Sequence, residues 1–485
     1  MNRREFLKTL GTGIAGLSLA GSCASNRRKP NVLLIITDDQ GYADLGCLGV
    51  ASDVQTPNMD QLAAAGTRFT QAYATSPICS PSRMGIMTGT YHERFGTYWY
   101  GGDGIHHSHY KTIAELLKAE DYATGYIGKV HYGTQDKDVD NRNFPNNHGF
   151  DYFYGFTSPR KHYLNHRAEL ENDFQKIKSE HKRWGQSLRQ EPMWENKVQK
   201  DTEGFSTQLF TQKACAFIEK HKDEHFFLQL SYNAVHNFTH QLPPEYLREK
   251  KLKGYHDWDP AVEDYYEWYE KGRYPNNPEG REHYLGQLKY MDQGIGKVID
   301  QLKKYKIFKN TLVIMISDNG GSTPIYANNS PLRGSKYTLY EGGIRVPLII
   351  SWPRKFLKGV VRDNIVSGLD ILPTICGTVN IEKPNNIDGM DLSDLLTGKD
   401  LHVQHDVLFW DTLSQTAVRK GKWKFRSAMN KESQDYEMVE LELGEFLYDL
   451  ERDISEEKNL AEKYPAVVDE LKKLFKKWKN SINIV

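Results

Sequence analysis

The chain has no apolar run of membrane-spanning length, no excess of either charge and few cysteines, and each lack narrows what it can be. Lys+Arg and Asp+Glu both total 63 among 485 residues, so the net charge is zero. Without a global basic field a nucleic-acid binder is disfavoured, and an anionic ligand must be met by a local cluster. The weakly apolar stretch Leu10 to Ala20 falls short of the roughly 20 residues that a spanning helix needs. Cys23, Cys47, Cys79, Cys215 and Cys376 are scattered without zinc or Cys-x-x-Cys spacing, so they permit disulfides without implying any. Internal repeats and low-complexity segments are also missing. What is abundant decides less: 28 Tyr and 9 Trp suit a carbohydrate-facing cleft and an ordinary core alike.

At this length the chain exceeds one ordinary core, so a large domain plus a smaller one is expected. Asn2-Arg3-Arg4-Glu5-Phe6-Leu7-Lys8 reads as a twin-arginine export signal. Leu19-Ala20-Gly21-Ser22-Cys23 is an imperfect lipobox, with Ala20 where Leu is usual. A lipid-anchored Cys23 and simple cleavage after Ala24 both stay open. Residues 1–25 are thus expected to engage export machinery and to direct the protein to the periplasm or cell surface.

The remainder alternates buried strands and amphipathic helices. Asn31 to Ile36 is a continuous apolar run, the pattern of a strand covered on both faces, and Tyr122 to Gly128, Phe226 to Tyr232 and Thr311 to Ser317 read as further strands. Asn58 to Ala65, Thr112 to Lys118, Phe205 to Glu219 and Tyr284 to Lys304 carry helical spacing. Thr67 to Tyr73 alternates like a strand, and Val346 to Trp352 supplies another. Residues 26–400 are expected to form an α/β domain with a large mixed, mostly parallel central sheet flanked by helices. Residues 401–485 turn to short strands (407–410, 416–419, 423–425, 446–450) and a closing helix from Pro465 to Trp478, a small α+β unit with a short antiparallel sheet.

Chemistry-bearing residues gather just past the strands. Thr37-Asp38-Asp39-Gln40-Gly41 places two carboxylates where open α/β sheets put their ligands. Adjacent Asp side chains repel unless a cation or hydrogen bonds relieve them, although such a turn also occurs with no ligand. Lys129-Val130-His131 puts two polar side chains on one face at strand spacing. His236 and Asp318-Asn319 follow the next two runs. A lone His is more often structural, and only its place at a third strand end raises His236 above that. Cys79 stands before a helix start in Ser76-Pro77-Ile78-Cys79-Ser80-Pro81-Ser82-Arg83, with Pro81 suited to a first turn. A helix N-terminus favours anions, and Arg83, one turn on, can reach back with a fork that matches a tetrahedral oxyanion. A small buried core cysteine is the plainer alternative.

Cys79-Ser80-Pro81-Ser82-Arg83 resembles the Cys-x-Pro-x-Arg motif of the type I, formylglycine-dependent sulfatases of the alkaline phosphatase superfamily. Further resemblances follow in family order: Thr37 to Tyr42, Lys129-Val130-His131, His148 to Phe156, Asn233 to His236, Asp318 to Gly321, Leu332 to Pro347, Asp370 to Thr374 and Asp388-Gly389. Val130 departs from the usual Trp, and Phe238 stands where Pro is common. Together they span roughly Asn31 to Ala461, broken by two polar excursions. The resemblance implies conversion of Cys79 to 3-oxoalanine (formylglycine) by a formylglycine-generating enzyme. Its hydrated aldehyde can release sulfate without a second attack on sulfur. It further implies a metal held by Asp38, Asp39, Asp318, Asn319 and an oxygen of residue 79. Such hard oxygen donors suit Ca²⁺ or Mg²⁺ and disfavour zinc, and the resemblance favours calcium.

By the same resemblance His131 is a base, Lys129 orients residue 79, and Arg83 neutralises charge there. His236 and Lys336 would bind sulfate and assist the leaving alcohol. Arg160, Lys161, His162 and His166, in the first excursion, are candidates for substrate recognition or a solvated loop. The implied activity is hydrolysis of sulfate esters, on a sulfated polysaccharide or its oligosaccharides. The rivals are a phosphodiesterase or phosphonate monoester hydrolase of the superfamily, and a non-catalytic sulfated-glycan-binding protein that keeps the Cys79 thiol.

Overall fold

A computed structural model describes residues 29–106, 108–133, 138–157, 163–165, 193–252, 265–429 and 441–482. Its centre is β1 (Asn31–Thr37), buried along its whole length. Side chains alternate across a strand, so Val32, Leu34 and Ile36 enter one core and Leu33 and Ile35 the other. Among the described residues nine further strands join β1 in one sheet: β2 (Thr67–Phe69), β3 (Ala123–Lys129), β4 (Tyr152–Phe156), β5 (Met193–Glu195), β6 (Val198–Lys200), β7 (Phe226–Ser231), β8 (Thr311–Ser317), β9 (Leu348–Ser351) and β10 (Val360–Arg362). Their order is β10-β2-β9-β8-β1-β7-β3-β4-β5-β6. The five central strands, β8-β1-β7-β3-β4, all run parallel, so their carboxyl ends share one edge. Among the described residues the antiparallel pairings of this sheet lie towards its two edges.

Helices cover both faces. On one side lie α1 (Pro57–Ala64), α4 (Ser206–Lys220) and the long α5 (Gly280–Lys304), whose Tyr284, Leu288, Met291 and Ile295 form a buried stripe against the sheet. On the other lie α2 (Cys79–Thr88), α3 (Ile113–Lys118) and α6 (Ile371–Val379). Helix α3 starts at a capping box, in which Thr112 Oγ1 accepts from Glu115 N–H and Glu115 Oε2 from Thr112 N–H. The stretch expected as one strand from Thr67 to Tyr73 is broken. Thr70 turns its N–H to Arg362 O, and Ala72–Tyr73 pairs with Val366–Ser367 instead. Strand β9 is shorter than expected because Pro347 has no N–H for the ladder.

Four antiparallel strands, β11 (Val407–Asp411), β12 (Gln415–Lys420), β13 (Trp423–Ala428) and β14 (Gly444–Asp449), form a second sheet closed by α7 (Pro465–Ser481). Its Leu408, Trp410 and Ala417 pack on Tyr73, Leu339 and Ile344 of the large layer, while Val418, Phe425 and Leu447 face α7. Trp410 Nε1 donates to Ala74 O at 2.9 Å, which seats this sheet beside the segment leading to Cys79. Among the described residues no helix is long and apolar enough to cross a membrane.

Candidate active site

Four parallel strands deliver the site. Asp38 and Asp39 follow β1, Asp318 and Asn319 follow β8, Lys129 ends β3, and His236 lies five residues past β7. Neighbours on a strand point to opposite faces, yet both Asp38 and Asp39 face Cys79. The change comes at Asp39, which adopts the left-handed conformation with φ 55°. The Cys79 thiol is 3.6 Å from Asp38 Oδ1 and 3.9 Å from Asp39 Oδ1. Cys79 is the first residue of α2, which is buried from end to end and stops at Gly89, left-handed at φ 64°. Gly85 is required there, since a Cβ would come within 2.4 Å of the Thr75 hydroxyl.

Three cations surround the carboxylates. Lys129 Nζ donates to Asp38 Oδ2 at 2.6 Å. Lys336 Nζ is 2.9 Å from both Asp39 oxygens and 3.1 Å from His236 Nε2. Arg83 makes a fork on Asp318 Oδ2, with Nε and Nη2 both at 2.8 Å, and its Nη1 donates to Lys129 O at 3.1 Å. The sequence suggested that Arg83 reaches back towards an oxyanion. In the structure its guanidinium is fully buried and paired with Asp318, Nε donating to Oδ2. Asp318 Oδ1 accepts the N–H groups of Asp39 and Asn319, at 3.2 and 2.9 Å.

The two ends of this carboxylate array ionise differently. Burial opposes the charge of Asp318, but Arg83, Lys129 and Lys336 overcome it and hold the group below the ordinary carboxylate range. Asp38 is raised to about 7, by burial first, with Asp318 and Asp39 adding repulsion against Lys129 and Arg83. Burial also pushes the Cys79 thiol well up, so a thiolate nucleophile is disfavoured at neutral pH.

A divalent cation fits this arrangement. Ligating atoms of Asp38, Asp39, Cys79 and His236 all lie within 4.8 Å of one another. Asn319 donates its Nδ2 to Asp39 Oδ1 at 2.8 Å, and its buried Oδ1 has no hydrogen-bond partner among the described residues, which leaves an oxygen lone pair suited to a hard cation. A positive charge here would relieve the repulsion that Asp38 bears.

The sequence candidates thus divide. Asp38, Asp39, Cys79, Arg83, Lys129, His236, Asp318, Asn319 and Lys336 come together within one buried cluster. His131 is buried two residues past Lys129, with its backbone N–H on Thr157 O. The strand spacing expected for it does not hold, because β3 ends at Lys129 and His131 is left-handed at φ 56°. Arg160, Lys161, His162, His166 and Cys23 lie outside the described residues. Two contributors had no signal of their own. Tyr163 holds the His236 turn through a 2.7 Å bond from its hydroxyl to Asn233 O. The ring of Tyr337 lies 5.3 Å from Lys336 Nζ, and only its place beside Lys336 could have pointed to it.

Comparison with known proteins agrees with this geometry. Residues 30–381 match the family model described as Sulfatase, and residues 335–481 that of N-sulphoglucosamine sulphohydrolase, C-terminal. An N-acetylgalactosamine-6-O-sulfatase of Bacteroides thetaiotaomicron is 28% identical over 533 residues, covering 95% of this chain and 97% of that protein. Arylsulfatase A of Bos taurus is 30% identical, covering 87% of this chain and 78% of its own length. The solved structure of Ps i-CgsB in complex with k-i-k-neocarrahexaose superposes with a TM-score of 0.76 at 28% identity, covering 94% of each chain.

Proposed function

The chain belongs to the sulfatase family, and from that premise we propose that it is a sulfuric ester hydrolase acting on a sulfated carbohydrate, a polysaccharide or its oligosaccharides. The observation that carries this reading is the meeting of Asp38, Asp39, Cys79 and His236 within 4.8 Å at the carboxyl edge of the sheet. Residue 79 as formylglycine supplies a hydrated-aldehyde nucleophile, and a divalent cation, calcium before magnesium, supplies fixed positive charge beside it. Asp38, Asp39, Asp318 and Asn319 are the residues assigned to hold that ion.

The chain's own groups then divide the work. Lys129, at 2.6 Å from Asp38, fixes the carboxylate that faces residue 79. Arg83 locks Asp318 and the Lys129 carbonyl, which keeps two strand tips in register. Lys336 Nζ and His236 Nε2, 3.1 Å apart, form a pair suited to meeting a sulfate oxygen and to passing a proton to the departing sugar oxygen. His131, buried at the end of β3, is assigned the base that takes a proton from the residue 79 side. Maturation by a formylglycine-generating enzyme, export through residues 1–25 and the division into residues 26–400 and 401–485 belong to the same proposal.

Parallel assays with an aryl sulfate, an aryl phosphodiester and a panel of defined sulfated oligosaccharides test it. Sulfate release from the first and from members of the panel is expected. Phosphodiester cleavage without sulfate release would move the assignment to the phosphonate and phosphodiester hydrolases. Oligosaccharide binding with no turnover would leave a glycan-binding protein.

A further inference from the structure

Lys336 is carried by irregular backbone, not by a strand or helix. A lysine on a flexible stem can be aimed only if its own backbone is fixed. That fixing comes from three directions. Lys336 N–H donates to Gly321 O at 3.1 Å, on the loop after β8, and Tyr337 N–H donates to Pro77 O at 3.0 Å, two residues before Cys79. The third anchor comes from the second sheet, through Gln415 at the start of β12. Its Nε2 donates to Tyr337 O at 2.8 Å, and its Oε1 accepts from Leu339 N–H at 3.1 Å. Gln415 is wholly buried, and its own N–H donates to Thr412 Oγ1 at 3.1 Å.

The residue so gripped is under strain. Tyr337 has φ 76°, a left-handed conformation disfavoured for a bulky side chain, which persists only where neighbours over-determine it. Its ring is stacked on Trp99 at 5.9 Å. Releasing Tyr337 to an ordinary conformation would rotate the backbone directly after Lys336 and swing its Nζ away from Asp39 and His236.

We propose that Gln415 is a positioning residue for Lys336: its amide holds Tyr337 left-handed and thereby aims the Lys336 ammonium into the site. The antiparallel sheet therefore shares in the reaction through the loop that it grips. This role deepens the function proposed above and rests on Lys336 being a sulfate-facing group.

A double-mutant cycle in the mature full-length enzyme tests it, with kcat/KM on an aryl sulfate as readout. Gln415→Met, which removes both bonds at nearly constant size, is expected to lower kcat/KM by roughly 10-fold to 100-fold, the scale of a misplaced catalytic group. In a Lys336→Ala background the same change should cost less than about twofold, because its effect passes through Lys336. An equal factor in both backgrounds would overturn the role and leave Gln415 as a tie between layers. Hydrogen exchange gives a readout independent of turnover, and Gln415→Glu, which keeps the acceptor for Leu339, covers a Met variant that does not fold. Protection should fall across residues 335–341 and persist in β12 and β13. Loss spread evenly over the second sheet, or none at 335–341, would contradict it. A parent enzyme inactive on sulfate esters would instead remove the proposed function, and the exchange result would still decide whether Gln415 holds the loop.

Discussion

Among the described residues two clusters of buried charge can be compared, and each splits its carboxylates: Asp318 and Glu341 are held below the ordinary range, while Asp38 and Glu456 are pushed above it. In the active site Asp38, Asp39 and Asp318 face Arg83, Lys129 and Lys336. At the seam between the two sheets Glu341 and Glu456 face Lys424, Arg345 and Arg419. Lys424 Nζ sits 2.9 Å from a carboxylate oxygen of each glutamate, and the Tyr73 hydroxyl donates to Glu341 at 2.8 Å. Burial works against the charge of Glu341, yet Lys424, Arg419 and Arg345 bring it from the ordinary 4.5 to about 2. Asp38, equally buried, is driven up to about 7 by that burial first, with repulsion from Asp318 and Asp39 added to it, and Lys129 and Arg83 do not make up the difference. The seam encloses its most charged acid in cations and contributes to holding the layers together. In the site each acid has a close cation, Lys129 on Asp38, Lys336 on Asp39 and Arg83 on Asp318, and the divalent ion proposed above would add to them. One cluster is closed, the other open.

Breaking the open cluster should have the largest effect. Asp38→Asn is expected to lower turnover by about 10³-fold or more, since fixed electrostatics at the reacting group carry much of catalysis. Bound metal, read by elemental analysis, should fall with it, while melting temperature changes little because a strained charge is removed. A large fall in melting temperature with metal retained would erase the contrast between the clusters. Lys424→Met should act the other way, destabilising by about 3–5 kcal/mol because it takes the lysine from two buried carboxylates and leaves Glu456 without its cation, as expected when one partner of a buried pair is removed. Denaturant unfolding measures this, and the variant should still turn over substrate at low temperature.

A pH series sharpens the comparison further. Glu341 has a folded pKa below its unfolded value, so its contribution is fully present above about pH 4.5 and is lost as pH falls towards 2. Asp38 has the opposite sign. In chelated protein its folded pKa is raised, so the native state binds the extra proton and stability declines as pH rises from about 4 to 7. Added calcium should flatten that decline in unfolding experiments and leave the acid limb unchanged. The smallest effect belongs to a charge pair outside both clusters. Lys420 and Glu470 pair on the surface, each about half exposed, and Lys420→Ala should move stability by less than about 1 kcal/mol.

Legibility in the sequence followed the range of the interactions. The central strands could be read because a strand buried on both faces is a continuous apolar run, as at Asn31 to Ile36 and Thr311 to Ser317. The Cys79 helix was legible from Pro81 and from the Cys-x-Pro-x-Arg resemblance, and Asp38 and Asp318 from their places after strands. Their partners were not. Arg83 meets Asp318 across 235 residues, and Lys424 meets Glu341 across 83, pairings that only the closed fold creates. In the sequence Glu341, Lys424 and Glu456 look like any solvated charges. The left-handed turns at Asp39, His131 and Tyr337 were equally hidden, because none of these residues is glycine and the strain is imposed by neighbours.

The chemistry finally comes down to one side chain at the start of α2. Mass spectrometry of the proteolytic peptide spanning Cys79, taken from protein that releases sulfate, tests that point most directly. Conversion of the thiol to the aldehyde should place the peptide about 18 Da below its unmodified mass, the difference between H₂S and O. A fully active preparation in which that peptide keeps its unmodified mass would contradict the account.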